Sequence, residues 1–222
     1  MNTILSTAAT QATRALLKYK VSRTPIYPQQ IIQESEVATM ISFADLAELA
    51  NVERSSILSA VHHDNDMVIS AVYNMPDGKT HHLFAFNREK PIGKIRYALA
   101  FELGHVFMGH VGYRCDETRK AESSCFANHF VFPRAMIRLL QERNFVLTEE
   151  NFARIFGESH WYLPDLVNTE HVISVPAELN RQLKEQFTPY VDALEAAGIF
   201  AFPVDPSDPV LDFSRYMEGY EE

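Results

Sequence analysis

Apolar and small residues recur at helical spacing from Thr7 to Lys20, and Thr24-Pro25 stops the run, so the chain opens with a helix. Pro28-Gln29-Gln30-Ile31-Ile32 reads as a short second helix with proline in its first turn. Met67 to Tyr73 and His82 to Phe86 are rich in strand formers, with Pro76-Asp77-Gly78 between them as a turn, which predicts a hairpin. From Ile92 to Val111 apolar residues lie nearly all round, the pattern of a helix buried in the middle of a domain. A further helix is expected from about Glu117 to Phe132, and Pro133 can open another through Leu140. Thr148 is placed to cap one more, closed by Gly157. Beyond Thr169 the pattern predicts two helices, Pro176 to Phe187 and Pro189 to Ala197, and then an acidic tail punctuated by Pro203, Pro206 and Pro209. Helices, then a hairpin, then helices describe an α+β fold rather than an alternating parallel sheet.

Composition narrows the class. The 222 residues are 46% hydrophobic and 22% charged, near globular averages, which argues against disorder. No apolar run reaches the roughly 18 residues of a membrane-spanning helix, and Met1 to Tyr19 lacks the pattern of a signal peptide. Two cysteines, Cys115 and Cys125, suit a reducing compartment, so a cytoplasmic location is expected. The net charge of −9 argues against a dedicated nucleic-acid surface. Acidity concentrates at the end, where Asp205, Asp208, Asp212, Glu218, Glu221 and Glu222 face Arg215 alone. Such a tail reads first as a solvated segment.

The buried helix carries Phe101-Glu102-Leu103-Gly104-His105. In H-E-x-x-H, two imidazoles one turn apart hold Zn²⁺ and the intervening Glu takes a proton from the metal-bound water. Glu102 and His105 keep their places here, while Phe101 stands in the slot of the first ligand. Taken alone, F-E-x-x-H is a weak signal.

Its surroundings are more specific. Arg96 to His105 resembles the R-F-T-L-A-H-E-L-G-H run of the ImmA/IrrE family of metallopeptidases. Glu122 to Ala127 followed by Phe132-Pro133, Phe84 to Asn87 upstream, and Phe152 to Gly157 downstream are similar to that family's other segments in the same order. The resemblance covers about residues 10 to 170. It implies a zincin-like (minimal gluzincin) domain over 1–170, with a small antiparallel sheet, a motif helix and surrounding helices, and a helical C-terminal extension with the acidic tail over 171–222.

Carried over by position, the resemblance makes His105 the second zinc ligand, Glu102 the general base and Glu122 the third protein ligand. With Phe101 in place of the first ligand, two remain. A four-ligand structural zinc site is worth about 10–16 kcal/mol, so one lost ligand costs roughly 3–4 kcal/mol and zinc is expected to be weakly held or absent. Cys125 and His129 share a helical face with Glu122, and Cys125 is the nearer substitute. His62, His63, His81, His82 and His110 read as surface or satisfied core residues. Without metal, Glu102, His105 and Glu122 can form a buried cluster with a protonated imidazole between carboxylates. On these terms a Phe101→His change would restore zinc.

Ser42 to Ile57 has the apolar spacing of a helix-turn-helix, yet residues 43–61 hold Asp45, Glu48 and Glu53 against Arg54 only, the wrong charge for phosphates. The segment is also similar to one that phage-associated members of the family pack on their core. Two functions remain open. One is a catalytically silent member that binds a regulatory protein partner; the other is an active zinc endopeptidase that cleaves a helix-turn-helix repressor.

Overall fold

The computed structural model describes residues 2–36, 38–60, 67–75, 78, 80–110, 116–157 and 173–198. Cys115, His62, His63, Pro76, Asp77 and the acidic tail lie outside the described residues. The fold is α+β. Helices α1 (Asn2–Lys18) and α2 (Pro28–Gln33) precede strand β1 (Ala38–Ser42), the pair α3 (Phe43–Ala50) and α4 (Arg54–Ala60), and the hairpin β2 (Val68–Asn74) and β3 (Thr80–Phe86). Then follow α5 (Ile92–Phe107), α6 (Glu117–Val131), α7 (Arg134–Glu142), α8 (Glu149–Phe156) and α9 (Ala177–Ala196).

The sheet corrects the expectation of an antiparallel one: its order is β1-β3-β2, and β1 runs parallel to β3. Only the hairpin pair β2–β3 is antiparallel, with Ser70 opposite Phe84. β1 is an edge strand of five residues that runs directly into α3, too short for periodicity alone to mark it. Side chains alternate across the sheet as the pleat requires. Met40, Val68 and Phe84 join the main core, whereas Ile41, Ile69 and Ala85 form a satellite cluster with Phe43, Leu46 and Ile57 of α3 and α4.

The helix-turn-helix-like pair thus seals the sheet face opposite α5. Ser42 caps α3 by accepting from the Asp45 N–H at 3.1 Å, and Asn51 ends it in the left-handed region at φ 51°. Arg54, the one cation of this segment, donates to Glu89 and to the Asn87 side chain, which fastens α4 to the turn that leads into α5.

The C-terminal segment is one helix where two were expected. Pro189 lies inside α9 on its exposed side, so the carbonyl that loses its donor is on the wet face and the helix continues. α9 buries Leu183, Phe187, Val191 and Leu194 in the same core as α1 and α7. Gln186 donates to the carbonyls of Leu16 and Val21, satisfying the end of α1.

Candidate functional site: the α5–α6 contact

The amino end of α5 is anchored by Arg96, which is 1% exposed and donates to the Phe156 carbonyl at the end of α8. Its guanidinium lies over the Tyr27 ring at 5.9 Å. Gly157 ends α8 at φ 66°, and a Cβ there would lie 2.7 Å from Arg96 Nη1. The arginine that opens the motif run is therefore a structural anchor that sets the direction of the helix.

Further along, α5 and α6 approach closely because residue 104 has no side chain. A Cβ on Gly104 would meet Ser123 Cα at 3.0 Å and the Ser123 carbonyl oxygen at 3.1 Å. Below that contact Phe107, Phe126 and Phe130 stack, with ring centroids 5.3 and 5.7 Å apart. This packing brings Glu122, in the second turn of α6, to the carboxyl end of α5.

The end of α5 decides the chemistry. The helix stops at Phe107 and not at Val111 as expected, because Gly109 takes φ 68°. The Gly109 N–H bonds to the Val106 carbonyl at 3.0 Å and the His110 N–H to the His105 carbonyl at 2.9 Å. These two bonds make a Schellman end, which folds the residue after the glycine back over the last turn. His110 is that residue. Its Nδ1 lies 2.9 Å from His105 Nδ1, and its Nε2 lies 2.9 Å from Glu122 Oε2.

The expected cluster is thus corrected in two ways: the imidazole between the groups is His110, and Glu102 is not part of it. A carboxylate only accepts, so His110 donates through Nε2–H to Glu122. A neutral His110 then has a bare Nδ1, and His105 donates to it through Nδ1–H, keeping its own lone pair on Nε2. Burial, the largest cause, pushes the His105 pKa down to about 4, so it is neutral near pH 7. Phe101 meets the His105 ring edge-on, with centroids 5.1 Å apart.

Glu102 faces the sheet instead. The Ser70 hydroxyl of β2 donates to its carboxylate. Burial raises the Glu102 pKa above the usual carboxylate range, and the Ser70 hydrogen bond works against that rise. Neither Cys125 nor His129 supplements the site. Cys125 donates through Sγ to the Leu5 carbonyl of α1 at 3.2 Å, and burial holds its thiol up at about 11. His129 is 4% exposed, and burial with the nearby Arg134 charge takes it down to about 3.

Two side chains escaped the sequence reading. Ser70 carried a signal, a polar residue on the inward-facing period of an apolar strand. So did His110, placed immediately after a glycine at the end of the buried helix.

These residues do not fit the zinc site that the resemblance implies. The His110 ring stands between His105 Nδ1 and Glu122 Oε2, 2.9 Å from each, in the space an ion shared by those two atoms would need. Position 101 offers a phenyl ring, and the described residues include no group of three or more His, Cys, Asp or Glu that could hold a metal ion. What the arrangement provides is a buried polar link from the end of α5 to α6, with the Glu102 carboxyl group of α5 bonded separately to Ser70 on the sheet. No family model matches the chain, and no curated protein or solved structure matches it.

Proposed function

We propose that the chain is a zincin-like protein of ImmA/IrrE type, from a phage or mobile element, that is catalytically impaired and acts in the cytoplasm by binding a regulatory protein. The partner class is a helix-turn-helix repressor. The ordered motifs of the sequence support the ancestry, and the close α5–α6 contact over Gly104 supports reading Glu102, His105 and Glu122 as positions of one former site. The observation that carries the loss of catalysis is what surrounds His105: Phe101 packs against its ring, and His110 bonds to its Nδ1 and to Glu122 Oε2. Catalysis depends on the metal more than partner binding does.

Binding has a surface to work with. β2 is one of the two outer strands of the sheet among the described residues, and Val72 and Tyr73 on it are 50% and 41% exposed. An edge strand offers unpaired backbone donors and acceptors to an extended segment of a partner. Direct DNA binding is disfavoured because Arg54, the only cation of the helix-turn-helix-like pair, is held by Glu89 and Asn87. No described helix is long and apolar enough to cross a membrane.

The test is co-expression with candidate repressors, followed by elemental analysis and mass spectrometry of the purified complex. Recovery of intact repressor with substoichiometric zinc is the expected result. Stoichiometric zinc and a cleavage product that disappears with chelator or with Glu102→Gln would establish the active endopeptidase instead.

A further inference from the structure

The ring between His105 and Glu122 has a consequence for metal binding that residue 101 does not control. A Schellman turn fixes the His110 backbone over His105, and the side chain is 9% exposed while bonded at both nitrogens. Glu122, whose side chain is 15% exposed, gives its Oε2 to that ring. The His110 ring lies between His105 Nδ1 and Glu122 Oε2, so an ion held between those two atoms would have to displace the ring and leave its buried imidazole N–H without an acceptor. His105 keeps a lone pair on Nε2, so it is not the obstacle.

We infer that His110 is an internal substitute for the metal, which sequesters Glu122 and keeps the site closed to zinc even when residue 101 can ligate. The inference rests on reading α5 as a metallopeptidase helix. Loss of zinc is then secured twice: by the phenyl ring at 101, which removes a ligand, and by the imidazole at 110, which occupies another. Phe101→His alone leaves the His110 ring between His105 and Glu122, so the three protein ligands of a catalytic zinc site are not brought to one point. Removing His110 as well releases Glu122 and completes a His₂Glu set.

The experiment uses the full chain in four forms, wild type, Phe101→His, His110→Asn and Phe101→His/His110→Asn. Each is checked for folding by circular dichroism and dialysed against zinc before elemental analysis. One zinc per chain is expected in the double variant and substoichiometric zinc in the other three. If Phe101→His alone takes up one zinc per chain, the substitution by His110 is overturned while the metallopeptidase reading stands. If the folded double variant takes up none, both fall. Long-range ¹⁵N NMR of the wild type supplies a measurement that needs no variant. It should find His110 as the Nε2–H tautomer and His105 as the Nδ1–H tautomer, and an Nδ1–H tautomer at His110 would overturn the proposed bond to Glu122.

Discussion

The two sides of α6 hold histidines in opposite circumstances. Toward α5, His110 is delivered by a turn and bonded at both ring nitrogens. Toward α1, the Cys125 thiol reaches a backbone carbonyl, and further along α6 His129 is buried near the Arg134 charge with Nε2 unpartnered. Glu122, Cys125 and His129 share a helical stripe by spacing, but steps of three and seven residues drift round the helix. Because α6 is wedged between α1 and α5, the drift of about 60° over three residues turns Cys125 to α1, whereas His129 drifts only about 20° but lies two turns, about 10 Å, further along the axis. Shared spacing on one helix therefore does not imply a shared site.

The comparison can be broken most severely from its apolar base. Phe126 is fully buried between Phe107 and Phe130, and Phe126→Ala should cost about 3–5 kcal/mol in urea denaturation. Closer to the polar link, Gly104→Ala presses a methyl group onto the Ser123 backbone, which cannot swing aside as a side chain can. A loss of about 1–3 kcal/mol is expected despite the better helix propensity of alanine, and an unchanged midpoint would show that α5 and α6 are not held at this spacing.

Gly109→Ala tests the turn that delivers His110. No described atom crowds a Cβ there, so the cost is the left-handed backbone alone, about 1 kcal/mol, and the NMR signature of the His110–Glu122 bond should weaken with it.

His129 should contribute to acid sensitivity, alongside His105, whose pKa is lowered to about 4. The His129 pKa is lower in the folded chain, about 3, than the ordinary 6.5, so the unfolded chain binds its proton first. Its contribution is complete above pH 6.5 and is lost as pH falls toward 3, at up to about 1.4 kcal/mol per pH unit. His129→Gln should flatten that limb of a stability–pH profile. The smallest effect is kinetic: in a Cys115→Ser background, Cys125 should resist alkylation at pH 8 until the chain unfolds, because burial keeps it a thiol.

Much of this arrangement was legible beforehand. The hairpin, the buried motif helix, the Thr148 cap and the Gly157 stop follow from periodicity and end chemistry and stand in the structure. Strand β1 was not legible, because a five-residue edge strand gains its identity only by pairing with β3. Pro189 was read as a boundary, whereas packing of Phe187 and Val191 on the core carries α9 through it. In the site, residue types and order point to Glu102, His105, Glu122 and the intruding Phe101. The role of His110 required knowing that α5 ends at Phe107 and that α6 passes beside that end.

The α+β succession, the apolar faces and the run Phe101-Glu102-Leu103-Gly104-His105 are readable from the amino-acid order alone, because these depend on side-chain chemistry and on contacts a few residues apart. The tertiary structure decided which polar groups meet. Ser70 reaches Glu102 from a strand 32 positions away, and Glu122 reaches His110 across two helices. Such bonds depend on where buried backbones cross, and a buried polar group must bond to whatever crosses there.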